Sequence, residues 1–261
     1  MRIFPEISYF FDMPRNARCL LPGIPCHVTQ RGTDRQKVFF LNSDREMYLH
    51  LLQRNLAGAK ARLLAYALMT NHIHAVVIPE RADSLAILFR RVHGRYAPYV
   101  NTRRGRSGHL WQGRFYSCPL DGAHLATALR YVEENPCRAG MVARPEHYRW
   151  SSAAAHFGLR GDGYGILDMS YWERAGGEAT WTEMFAAAPD EPQVERLRQC
   201  TYGGRPFGGQ EFVARMEEQF GRSWRREPGS GDRETGKMAL GHTPTVPEMK
   251  FDASRVSLSR L

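Results

Sequence analysis

The sequence predicts an α+β fold, an antiparallel sheet with helices mainly on one face. Three observations carry that expectation. Strand-like and helix-like apolar patterns follow one another in the order strand, helix, paired strands, helix, strand, helix between about residues 24 and 134. Two of the strands are separated only by the tight turn Thr70-Asn71, so they form an antiparallel hairpin. The helical stretches carry their apolar residues on a single stripe, which needs a sheet face to cover it.

Taken in order, Ile24 to Gly32 reads as a strand that leaves through a basic turn (Arg31, Arg35, Lys37) into Val38-Phe39-Phe40. Ser43-Asp44-Arg45-Glu46 has the form of a capping box and opens a helix to about Lys60, with Tyr48, Leu51, Leu52 and Leu56 on its stripe. Arg62 to Met69 and His72 to Ile78 are the hairpin strands. A second helix is predicted from Ser84 to about Val100 through Leu85, Leu88, Phe89, Val92 and Tyr96, with Pro98 expected to kink or end it. A strand follows over 115–120. Asp121 then caps a third helix through Glu134, with Leu125, Ala128, Leu129 and Val132 inward and Pro136 marking its end. A short helix near Ser151 ends by Gly158.

This organisation divides the chain into a lead-in (1–18), a catalytic-size domain (19–158), a partly helical extension (159–226) and a tail (227–261) of disordered composition. Within the extension, 169–188 and 209–222 read as short helices.

Composition narrows the function. The 261 residues are 43% hydrophobic, yet no window approaches 18 uninterrupted apolar residues, so no membrane span is predicted. The first residues carry Glu6 and Asp12 and no small-residue cleavage site, unlike a signal peptide. A cytoplasmic protein is the expectation, with neither a membrane partner nor a nucleotide cofactor. Five scattered cysteines without a CxxC pair read as reduced thiols. The net charge of +9 is unevenly spread: residues 1–158 hold 22 Lys and Arg against 11 Asp and Glu, and the remainder 14 against 16. A basic first part points to a polyanion. Its densest stretch, Arg90 to Arg114, holds seven arginines and no acid. Arg31, Arg35, Lys37, Arg90, Arg91, Arg95, Arg103, Arg104, Arg106 and Arg114 are therefore candidate DNA contacts. Trp111 lies among them as either a stacking face for an unstacked base or a core residue.

The chemistry-bearing residues are few. His72 and His74 alternate with Ile73 in a strand, so both imidazoles share one face about 7 Å apart. Two such rings are satisfied either by hydrogen bonds or by a shared divalent metal. On the third helix, Asn135 lies four residues after Tyr131 on the same face. Asn135 is thus either a helix end before Pro136 or a third oxygen ligand.

NHIH at 71–74, SGHLWQGRF at 107–115, RYVEENPCRAGMV at 130–142 and YRWSSAAAHFG at 148–158 occur in that order after MPRNAR and GIPCHVTQRGTDRQKVFF within 13–40. Together they resemble the HUH (His-hydrophobic-His) single-tyrosine nucleases, specifically the REP-associated tyrosine transposases. GRPFGGQEFVARMEEQFGR at 204–222 is similar to a C-terminal piece of longer members. The resemblance implies a ferredoxin-like domain, often a homodimer, and Mg²⁺- or Mn²⁺-dependent strand transfer on single-stranded or hairpin DNA of palindromic repeats. By motif position it implies Tyr131 as nucleophile and His72, His74 and Asn135 as the metal site. Glu134 and Cys137 stand where the family more often has Leu and Val, and Pro98 is unexpected in its helix. Two other readings compete. One is a nucleic-acid-binding protein that keeps the scaffold without the chemistry. The other, a zinc-held module, is disfavoured because no cysteine has a local partner.

Overall fold

The computed structural model describes residues 18–224; the lead-in before Arg18 and the tail expected at 227–261 lie outside the described residues. The chain runs β1 (Cys26–Arg31), α1 (Asn42–Ala59), β2 (Ala61–Leu68), β3 (His72–Pro79), α2 (Ser84–Arg103) and β4 (Tyr116–Pro119), followed by α3 (Gly122–Arg138). Up to β4 this is the βαββαβ order of a ferredoxin-like unit. The strands lie side by side as β2-β3-β1-β4, and every neighbouring pair is antiparallel.

Strand alternation decides what each face receives. Cys26, Val28, Ile73, Ala75 and Val77 point to one side, where Tyr48, Leu49, Leu85, Phe89 and Tyr96 of α1 and α2 cover them. Val76, Ile78 and Cys118 point to the other, against Leu125, Leu129 and Val132 of α3. A bulge between Leu63 and Ala65 turns Leu64 and Ala65 toward that same second layer.

The extension belongs to this core. After α4 (Ala153–His156) come α5 (Met169–Arg174), α6 (Gly177–Ala186), α7 (Glu191–Gly203) and α8 (Gln210–Phe220). Trp181, Met184, Val194, Leu197 and Phe207 pack into the α3-side layer. Thus α1 and α2 share one face, as expected of the ferredoxin-like unit, and the extension helps α3 cover the other. It also covers both sheet edges. Beside β2, Leu167 pairs with Leu63 and the Asp168 amide donates to the Leu63 carbonyl at 2.8 Å. Beside β4, the Phe207 amide donates to the Pro119 carbonyl at 2.8 Å. Exposed edges would otherwise offer unpaired backbone groups to other chains.

Three local expectations are corrected. Ser43 does not cap α1, which begins at Asn42; Asp44 reaches back to accept from the Phe40 and Leu41 amides, both at 2.8 Å, and Leu41 has no acceptor to complete a box. Neither Pro98 nor Pro136 ends its helix: α2 continues to Arg103 and α3 to Arg138. Each proline removes one hydrogen bond near a C-terminus, and burial of Val100 beyond Pro98 keeps the last turn of α2 in place. Helix α7 was not predicted at all.

Helix α3 is pinned from inside. The Glu133 carboxylate is fully buried and accepts from the Ser152 hydroxyl, from His156 Nδ1 at 2.6 Å and from Trp181 Nε1 at 2.7 Å. These donors come from the short α4 region and from α6, so α3 and its Tyr131 are held on both flanks.

Candidate active site

The site is assembled on the α3 side of the two central strands. Antiparallel register sets Thr29 opposite His74 and Arg31 opposite His72, so His27, Thr29 and Arg31 share a face with both histidines of β3. The His72 and His74 ring centroids lie 4.9 Å apart, nearly perpendicular. His72 Nδ1 donates to Asn71 Oδ1 at 2.6 Å. His74 Nδ1 is bonded to His27 Nε2 at 3.0 Å, with the two rings stacked at 5.2 Å. His27 Nδ1 in turn meets the Thr201 hydroxyl of α7 at 2.8 Å. Each β3 histidine therefore has its Nδ1 engaged, and among the described residues no hydrogen bond occupies its Nε2.

Burial keeps these rings neutral. It lowers His27 to about 3 and, with the Arg31 charge adding to the effect, His72 to about 4. His74 falls well below its ordinary value, first through burial and then through His72 and His27. A neutral imidazole keeps a lone pair, which is what a metal ligand needs.

Tyr131 lies directly against this cluster. Its ring sits edge-on to His74 at 5.3 Å and to His27 at 5.6 Å between centroids. All three residues belong to one chain. Burial raises the phenol above its ordinary pKa, while a hydrogen bond from Asn135 and the charges of Arg198 and Arg138 pull it down. Asn135 lies inside α3, half-buried, and its Nδ2 donates to the Tyr131 carbonyl at 2.8 Å, which leaves Oδ1 uncommitted. Among the described residues no three His, Cys, Asp or Glu side chains form a metal-holding group. A metal here would rest on two imidazoles and an amide oxygen.

The predicted cations divide. Arg31 belongs to the site itself: its Nε is buried without a hydrogen-bond partner, and Nη2 reaches the Tyr202 hydroxyl of α7 at 3.5 Å. Arg35 and Lys37 are exposed on the turn beyond β1. Arg90, Trp111 and Arg114 line a cleft of about 870 Å³ between α2 and the loop before β4. That cleft is on the α2 side of the sheet, away from Tyr131, but its loop returns to the strand end carrying the histidines, where the Gln112 amide donates to the Arg31 carbonyl at 2.8 Å. Trp111 is buried, packed against His93 at 4.4 Å between ring centroids, and also lines the cleft. Arg91 and Arg95 reach α1 through the Gly58 carbonyl and Asn55. Arg103 is paired with Asp44 at 2.8 Å, Arg104 lies over the Phe40 ring, and Arg106 donates to Gln36. Glu134 is paired with Arg130 at 2.9 Å.

Sequence reasoning missed His27, Thr201, Arg198 and Tyr202. The register that sets His27 beside His74 is a three-dimensional fact. Helix α7 did leave a signal, however: Asp190 caps it by accepting from the Gln193 amide, Pro192 stands in its first turn, and Gly204 closes it in the left-handed region.

No curated protein matches the chain significantly. Among solved structures it is similar to a REP-associated tyrosine transposase bound to a REP hairpin, with 18% identity, coverage of 57% of this chain and 88% of that one, and a TM-score of 0.48. It is also similar to a candidate transposase from Deinococcus radiodurans R1, with 14% identity, coverage of 46% and 96%, and a TM-score of 0.32. The family model described as "Transposase IS200 like" matches residues 22–135. That segment, which is under half of the chain, contains all four strands, His72, His74 and Tyr131 and ends on Asn135, so residues 22–135 are similar to the IS200-like transposases.

Proposed function

We propose that the protein is a metal-dependent single-strand DNA endonuclease and strand transferase that uses Tyr131 as its nucleophile. The observation that carries this reading is the packing of the Tyr131 ring against His74 and His27 of its own chain. A binding-only protein has no need to bury a phenol beside His74, whose Nδ1 is taken by His27 and whose Nε2 is left open.

In this reading His72 and His74, through Nε2, and Asn135, through Oδ1, hold Mg²⁺ or Mn²⁺, a donor set that leaves positions for phosphate and suits Mn²⁺ somewhat better. Such an ion, held there, would supply the positive charge that offsets a non-bridging phosphate oxygen. The chain's own groups do the rest. Arg31, with an unpartnered Nε opposite His72, donates to the phosphate. Tyr131 enters the step as a neutral phenol, as an ordinary tyrosine is at neutral pH, and burial raises its pKa further. Its oxygen bonds to phosphorus as its proton passes to solvent, the P–O3′ bond breaks, and the departing 3′ oxygen takes up a proton from solvent. The 5′-phosphotyrosine conserves the bond energy, and a later 3′-hydroxyl reverses the step to join two ends.

Single-stranded DNA suits this chemistry because a duplex holds its phosphodiesters away from a recessed phenol. The family resemblance adds a hairpin or palindromic repeat as the structured part of the substrate, and the cations along the turn after β1 and the cleft beside α2 are its proposed grip. Because the Tyr131 ring packs on His74 and His27 within one chain, the reading has Tyr131 act in cis, whether alone or within the homodimer that the resemblance implies.

Replacement of Tyr131 by Phe is expected to abolish cleavage of labelled single-stranded oligonucleotides in Mn²⁺, by at least about 10³-fold, and to leave their binding within about twofold. Cleavage by Tyr131→Phe at the wild-type rate contradicts the assignment.

A further inference from the structure

Thr201 and His27 form a continuous hydrogen-bonded line that ends on His74. Thr201 is 1% exposed, and its hydroxyl donates to the Leu197 carbonyl one turn back along α7 at 2.8 Å. A carbonyl can only accept, so the single hydroxyl proton is committed there. Toward His27 Nδ1, 2.8 Å away, the threonine oxygen can then only accept, and His27 must carry its proton on Nδ1. His27 is itself 1% exposed, and its two ring nitrogens face Thr201 and His74, neither of them an acid. A neutral ring in that setting has one N–H and a bare Nε2. That bare nitrogen, 3.0 Å from His74 Nδ1, can only accept from it. His74 therefore carries its proton on Nδ1 and exposes a lone pair on Nε2.

We infer that Thr201 and His27 are positioning residues that set the tautomer of His74 so that its Nε2 faces outward as a metal donor. The inference deepens the proposed function and rests on that reading for the metal itself. It gives the extension a role in the chemistry, because Thr201 stands in α7, outside the matched segment 22–135. On the other β3 histidine Asn71 does the same work locally: its Oδ1 accepts from the His72 Nδ1–H at 2.6 Å. The two ligands are thus oriented from different places, one by the residue before it and one by a helix more than 120 residues later. Outer partners of this kind hold a ligand's orientation and basicity, and their loss typically weakens metal binding about 10- to 100-fold.

The test uses the full chain and three readouts. In metal-free protein, long-range ¹H–¹⁵N correlation spectra should show His27 and His74 both protonated at Nδ1. A His74 protonated at Nε2 overturns the inference without touching the nucleophile assignment. Mn²⁺ titration by calorimetry should then show Thr201→Val, which keeps the shape and removes the acceptor, binding about 10- to 100-fold more weakly than wild type, while Thr201→Ser binds as wild type does. Thermal melting separates this from a folding defect, since Val in place of Thr at a buried helix position is expected to melt within a few degrees of wild type. Thr201→Val that binds Mn²⁺ as tightly as wild type overturns the relay, as does Thr201→Ser weakened equally. Wild type that binds no Mn²⁺ while His74 shows the Nδ1 proton overturns the metal site instead.

Discussion

At the scale of single residues, partners matter more than identities. His72, His74, Tyr131 and Asn135 were legible because strand alternation and helical spacing place them on common faces. What those faces meet was not: His27 enters through the β1–β3 register, Arg31 becomes a site residue for the same reason, and Trp111 turns out to be packed on His93. Glu133 shows the same dependence. Nothing in RYVEEN distinguishes it from Glu134, yet Glu133 is buried under three donors while Glu134 is paired with Arg130. Glu133→Ala leaves the Ser152, His156 and Trp181 donors unanswered in the core. At about 1–3 kcal/mol for each unsatisfied group, a loss of at least about 3 kcal/mol is expected in denaturant unfolding. A loss below about 1 kcal/mol would show that the network does not hold α3.

At the scale of elements, α3 is the one whose placement decides function, and its start depends on one carboxylate. Asp121 accepts from the His124 amide at 2.8 Å, from His124 Nδ1 at 2.7 Å and from the Gly209 amide at 2.7 Å. Burial pushes its pKa up, but these hydrogen bonds outweigh it and hold the carboxyl below the ordinary 3.8. A carboxyl depressed in the folded state stabilises above its unfolded value and loses that contribution as pH falls through the folded one. Asp121→Ala should therefore cost about 1 kcal/mol at pH 7, and the gap between variant and wild type should shrink as pH falls below about 4. A gap that stays constant down to pH 2.5 in thermal melting contradicts this role. Asp121 was readable as a cap from sequence; its bond to Gly209 was not, because that contact comes from the far end of the extension. Helix α7 escaped notice because only Val194, Leu197 and Thr201 are buried along its 13 residues, too thin an apolar stripe to stand out from the polar background.

At the scale of the whole molecule, the composition shift at Gly158 marks a change in texture rather than the end of a core. The extension supplies Trp181, Leu197 and Phe207 to the layer over α3 and covers both edges of the sheet. A chain ended at residue 158 should expose that layer and the β4 edge, and it should aggregate or melt without cooperativity by circular dichroism and gel filtration. A monomeric, cooperatively folding 1–158 fragment would contradict the shared core. The βαββαβ order and the antiparallel sheet could be read from pattern and resemblance. The packing of the extension could not, since long-range contacts leave no local period. Among the described residues, 18–224, no helix is long and apolar enough to cross a membrane.

The central claim is that Tyr131 bonds covalently to DNA beside His72 and His74. The most direct measurement is mass spectrometry of the full chain after incubation with a hairpin-bearing single-stranded oligonucleotide in Mn²⁺, followed by digestion and mapping of the nucleotide-modified peptide. The account predicts a metal-dependent phosphonucleotide adduct on Tyr131, absent from Tyr131→Phe and from His74→Ala. An adduct mapped to another residue, or cleavage that proceeds with no covalent intermediate, would contradict it.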